Sequence, residues 1–135
     1  MNKLSTIFPL LGVIAEFIRN LRRKMARRVV TRYAKREFRA AMRRADERYK
    51  NEHTMIYVCS KPFQPDVLTT YDRIRFKREK HVWGWHATLL TLQSLKYGCY
   101  YHTPDKAGNQ KMTQKEIDIR LRYFINERLQ LAGLK

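Results

Sequence analysis

A chain of 135 residues, 44% of them apolar, can build one domain with a modest core, so global disorder is excluded despite a net charge of +17. That charge, 29 Lys or Arg against 12 Asp or Glu, predicts attraction to polyanions: nucleic acid, an anionic membrane or an acidic protein. Two cysteines, Cys59 and Cys99, are too few for a disulfide framework, which predicts reduced thiols and an intracellular setting.

Residues 4–18, LSTIFPLLGVIAEFI, are the longest weakly charged run. With Pro9 and Glu16 inside it, the run falls short of the roughly twenty apolar residues that a bilayer-spanning helix needs. Lys3 ahead of it gives the outline of a short secretory signal, and the Arg-rich, acid-poor sequence behind it that of a mitochondrial presequence, with an ordinary amphipathic helix as the plainer reading. Pro9 suits a first helical turn, and from there Leu10, Ile14, Phe17, Ile18, Leu21 and Met25 recur at spacings of three and four. Arg19, Arg22, Arg23 and Arg27 fall on the other side.

Beyond Arg28 the pattern changes phase. Val30, Ala34, Phe38, Ala41, Ala45 and Tyr49 form a second seam, rotated by more than a quarter turn from the first. The two seams cannot face one flat partner, so the chain either breaks near residues 27–31 or forms one long helix with different neighbours along its length.

Between Arg19 and Lys50 there are fourteen Lys or Arg and three acids, which is +11 of the total +17. Arg32, Arg36, Arg39, Arg43 and Lys50 share a strip about 60° wide, opposite the second seam. A solvated helix face mixes signs, because i to i+4 pairs of opposite charge stabilise and like pairs repel. Only Glu37, Asp46 and Glu47 temper this one. Uncompensated guanidinium groups, which bind phosphate bidentately, predict contact with an external polyanion, by a mode largely blind to base sequence.

Thr54–Cys59 is β-branched and aromatic and reads as a short strand, followed by a loop at Pro62 and Pro65. Residues 67–78 alternate, with Leu68, Thr70, Asp72, Ile74 and Phe76 on one side and Tyr71, Arg73, Arg75 and Lys77 on the other, which predicts an extended segment. A basic row beside Tyr71 fits a backbone-tracking surface with a stacking platform, or else an edge strand protected by charge. In Val82-Trp83-Gly84-Trp85-His86 the tryptophans read as core rather than as base-stacking groups. His86–Tyr97 reads as a helix ended by Gly98, Cys99–His102 as a short strand, and residues 103–110 as turns.

The last element is a helix from Thr113-Gln-Lys-Glu116, a capping box, to about Ala132, with Gly133 as its cap. Its core face is Ile117, Leu121, Phe124, Ile125 and Leu131. Ile119 and Tyr123 lie on the far side, and Asp118 with Arg122 and Glu116 with Arg120 are placed to pair.

Catalytic signals are sparse. Cys59, His81, His86, Cys99 and His102 include one Cys-x-x-His pair, without the second tight pair usual in structural zinc sites. Asp66, Asp72 and Glu79 are too spread to hold a catalytic metal, and neither a Walker loop nor GxGxxG occurs. No catalytic residue, metal, cofactor or small-molecule substrate is assigned.

The expected architecture is α+β and α-rich. A basic helical arm spans 1–51, a small α/β body with short strands and one helix spans 52–112, and a C-terminal helix packing on the body spans 113–135. The expected function is that of a non-enzymatic structural component of a nucleoprotein assembly, of ribosome or virion kind, alongside other protein subunits. It would be RNA- or DNA-binding, with Arg32, Arg36, Arg39, Arg43 and Lys50 as leading phosphate contacts and Arg73, Arg75, Lys77 and Tyr71 as the second set. The alternatives are a peripheral protein on an anionic membrane through residues 4–28, and a small nucleic-acid-processing enzyme. The corresponding locations are intracellular or inside a virus particle, with the mitochondrion as a further option.

Overall fold

The computed structural model describes the backbone of residues 4–61, 64–79 and 92–135. The fold is α+β and helix-rich, built around one continuous helix, α1, at Leu4–Glu52. Its 49 residues would span about 73 Å at the helical rise. Helical geometry passes through residues 27–31 without a break. The helix also starts before Pro9, which therefore lies inside it and not in its first turn.

The two halves of α1 have different surroundings. Between Pro9 and Val29 the side chains are exposed, Ala26 being half-buried. From there on, Ala34, Phe38, Ala41 and Ala45 are buried, and Met42 and Tyr49 pack against the same cluster. Small alanine side chains let the helix approach the sheet closely, while Phe38 supplies the bulk. The helix stops at His53, which turns to φ 51° and donates its N–H to the Tyr49 carbonyl at 2.9 Å.

Three antiparallel strands follow: β1 (Tyr57–Lys61), β2 (Gln64–Tyr71) and β3 (Tyr101–His102), in the order β2-β1-β3. Tyr57 pairs with Tyr71 on one side and His102 on the other, with an irregularity between Ser60 and Lys61. Period-two alternation separates the faces. Val58, Leu68 and Tyr101 join the α1 cluster, whereas Tyr57 and Cys59 pack with Phe76, Leu95 and Cys99. Those last three lie on or just beyond two short helices, α2 (Arg73–Glu79) and α3 (Leu92–Gly98). Pro65, expected in a loop, is inside β2; this is an edge strand, where a missing N–H is tolerated. The Val82–His86 segment and the first part of the helix expected at 86–97 lie outside the described residues.

The C-terminal helix, α4, is Gln114–Leu131. The Thr113 hydroxyl accepts from the Glu116 N–H at 3.2 Å. At the other end Gly133 takes φ 69°, with Gly133 N–H donating to Gln130 and Leu134 N–H to Leu129, a full Schellman motif. Phe124 anchors α4 against Phe38 of α1 and against the edge of Tyr100. Leu131, expected in the core, is exposed, and Leu129 is buried in its stead. The Schellman turn brings Leu134 back beside Leu129, on a different flank from Leu131.

The expected pairs Asp118–Arg122 and Glu116–Arg120 are not among the ion pairs of the described residues. Asp118 accepts from Gln114 at 2.9 Å, and Arg120 donates to the carbonyls of Cys99, at 2.9 Å, and Lys96, at 3.3 Å. Carbonyls left open at the end of α3 give Arg120 a partly buried acceptor, which outcompetes a solvated carboxylate.

Candidate nucleic-acid interface

The flank of α1 opposite Ala34, Phe38, Ala41 and Ala45 carries Arg32, Arg36, Arg39, Arg43 and Lys50, all exposed. None of them belongs to an ion pair of the described residues. Two of the three nearby acids are engaged elsewhere. Glu37 accepts from Arg128 of α4 at 2.9 Å, and Asp46 accepts from the Tyr101 hydroxyl at 2.5 Å. Packing therefore holds Glu37 toward the body, whereas Asp46, bonded to Tyr101, still borders the far end of the row beside Arg43 and Lys50. Glu47 remains exposed beside the far end, where Arg43, Asp46, Glu47 and Lys50 line one shallow depression. Lys50, with Arg43 beside it, is thus tempered more than Arg32, Arg36 and Arg39.

Two further cations belong to the same row. Lys35 lines a shallow groove with Arg32, Arg36, Arg39 and Arg43, and Arg28 stands one turn before Arg32. Sequence reasoning left both out, although the same spacing of three and four identifies them.

Arg48 shows what a structurally committed arginine looks like on this helix. It donates to Glu52 at 2.8 Å, to Asp72 at 2.8 Å and to the Thr70 hydroxyl at 3.0 Å. Its bond to Glu52 is the chief reason that its pKa is raised further, against the opposing effect of burial.

The second expected set does not form a row. The strand ends at Tyr71 and α2 begins at Arg73, so the extended segment expected over 67–78 is corrected. Asp72 caps α2, its carboxylate accepting from the Arg75 N–H at 2.6 Å, and this capping bond overrides the period-two alternation. Tyr71 is fully buried and offers no platform to an incoming base. Arg75 is half-buried, lies 4.7 Å over the Tyr71 ring, and donates to the Thr70 carbonyl at 2.9 Å and the Thr69 hydroxyl at 3.2 Å. A 3.3 Å ion pair to Glu79 completes its set. Arg73 and Lys77 are exposed, one turn apart on another flank of α2.

The thiols are poor nucleophiles. Burial pushes the Cys59 pKa well up, with Cys99 adding to the effect, and burial pushes Cys99 to about 11, against the pull of Arg120. The His102 ring lies against the Thr103 carbonyl, Nδ1 to oxygen 2.9 Å, and burial holds its pKa below the ordinary value. Among the described residues no group of three or more His, Cys, Asp or Glu is placed to hold a metal, and His81 and His86 lie outside them. Among the described residues, too, no helix is long and apolar enough to cross a membrane.

The chain matches no protein-family model, no curated protein and no solved structure.

Proposed function

We propose that this protein is a non-enzymatic, structural nucleic-acid-binding component of a nucleoprotein assembly of the ribosome or virion kind. It grips phosphates through Arg32, Arg36, Arg39 and Arg43, with Arg28, Lys35 and Lys50 extending the row. The observation that carries this reading is the separation of charges on α1: Glu37 and Asp46 bond to Arg128 and Tyr101 of the body while, among the described residues, the exposed cations of the opposite flank form no ion pair. Guanidinium forks spaced along one straight edge suit a phosphate backbone, and a row that meets phosphates binds with little regard to base sequence. Arg73 and Lys77 are auxiliary contacts. Arg75 and Tyr71 have structural duties instead.

Electrophoretic shift of RNA and DNA over a salt series tests this reading. Phosphates neutralised by Arg32, Arg36, Arg39, Arg43 and Lys50 alone contribute about −4 to −5 to the log–log salt slope. Changing Arg32, Arg36, Arg39 and Arg43 together to Gln should remove most of that contribution. An unchanged slope would sink the assignment of this flank, and metal-dependent degradation of the probe would favour an enzyme.

A further inference from the structure

The N-terminal half of α1 leaves Leu10, Ile14, Phe17, Ile18, Leu21 and Met25 between 43% and 67% exposed, a continuous apolar surface too long to be incidental. Because α1 does not break, helical phase is carried from this half into the next. Ile18, Leu21 and Met25 lead, at steps of three and four, into Arg28, Arg32 and Arg36. The apolar seam and the Arg row are therefore one ridge on one flank, apolar for about 20 Å and cationic for about 20 Å more. The body packs on the opposite flank, against Ala34, Phe38, Ala41 and Ala45, so nothing among the described residues stops the whole ridge from lying on a flat surface.

The occupant of such a ridge must accept apolar side chains and offer phosphates in the same plane. A bilayer with anionic headgroups does both, since an amphipathic helix lying at its interface sinks its apolar side chains about 5–10 Å while cations sit among the headgroups. A second copy fits poorly. In a parallel pair the Arg rows that continue the two seams would abut, with Lys24 and Arg28 at the seam's edge, and in an antiparallel pair the Arg half of each ridge would be left without an anion. Nucleic acid supplies phosphate without apolar depth.

We infer that the α1 ridge docks on the surface of an anionic bilayer through Leu10–Met25, and that bilayer and nucleic acid compete for the Arg half. The second clause rests on the function proposed above; the first does not. Full-length protein should co-float with phosphatidylcholine vesicles containing phosphatidylserine and not with phosphatidylcholine alone. Phe17→Gln with Leu21→Gln, at exposed positions remote from the core and with a good helix former, should weaken flotation about 100-fold, from the loss of two large apolar contacts. The same variant should leave the salt slope of nucleic-acid binding unchanged. Added RNA should release the wild type from vesicles.

Undiminished flotation of the double variant overturns the apolar anchor, and equal flotation on neutral vesicles overturns the docking on an anionic surface. Sedimentation showing a wild-type oligomer that the double variant dissolves, with neither protein floating, assigns the seam to a second copy and overturns it too. RNA that floats together with the vesicle-bound protein overturns the competition. If RNA does not bind in the absence of vesicles, the nucleic-acid function falls while the flotation result stands.

Discussion

The rings of Phe38 and Phe124 lie 5.7 Å apart at an interplanar angle of 46°, and through them α1 and α4 close over one face of the sheet. Both side chains are fully buried, and Tyr100 meets Phe124 edge-on from a third direction. The contact joins positions far apart in sequence, so it reports on the assembled domain and not on either helix alone.

Phe38→Ala should destabilise the protein by about 3–5 kcal/mol, the usual cost of removing a buried aromatic ring and leaving a cavity. Chemical denaturation followed by circular dichroism measures it. Phe17→Ala, on the exposed half of the same helix, should change stability by less than about 0.5 kcal/mol. Equal losses at the two sites would mean that the N-terminal half of α1 is covered within the monomer.

Arg36 and Arg48 lie on one helix and should behave oppositely. Arg36→Gln is expected to leave the melting temperature unchanged and reduce the nucleic-acid salt slope by about one unit. Arg48→Gln removes bonds to Glu52, Asp72 and the Thr70 hydroxyl. It should cost about 1–3 kcal/mol of stability, because a part-buried ionic network loses its centre, with the salt slope unaltered. Thermal melts and salt titrations on the two variants separate the roles.

His102 gives the fold an acid-sensitive element. Burial lowers its pKa below the ordinary value of 6.5, against the Thr103 carbonyl, which raises it; Arg120 and Lys96 add to the lowering and Glu116 opposes it. A depressed histidine pKa means that the unfolded chain takes up a proton first as pH falls through 6.5. Stability present above that point is therefore lost as pH drops toward the folded-state pKa. Urea midpoints measured from about pH 8 to pH 5 should fall through this window, and His102→Gln should flatten that part of the curve even if it is less stable throughout. An identical pH slope in the variant would assign the acid sensitivity to other groups.

Gly133→Ala should cost about 1–2 kcal/mol, because an L side chain pays a steric penalty at positive φ while no neighbour is placed to clash with it. The open surroundings of Gly133, with φ +69°, make the backbone conformation the sole source of the loss. Gly12→Ala, inside α1 and equally open, should instead be neutral or slightly stabilising. Melting temperatures of the two variants test the contrast.

The elements most legible in the sequence were those set by local periodicity and capping. The Ala34–Phe38–Ala41–Ala45 seam, the exposed row Arg32–Arg36–Arg39–Arg43, the Thr113 cap and the Gly133 terminus all follow from spacing and side-chain chemistry within one or two helical turns. Where two local signals competed, the pattern misled. Alternation through 67–78 continued the strand on paper, but Asp72 captured the Arg75 amide and started a helix, which turned Arg75 inward over Tyr71.

By itself, then, the sequence determined which side of each helix is apolar, which is cationic and where the last helix starts and stops, because those properties depend on neighbours three or four residues away. Only the tertiary structure decided that α1 passes unbroken through residues 27–31, placing the exposed seam and the Arg row on a single flank. It also decided that Glu37 and Asp46 bond to Arg128 and Tyr101 and not to the row. Periodicity reports a face but not what covers it, and the partner that claims a carboxylate is fixed by packing between segments distant in the chain.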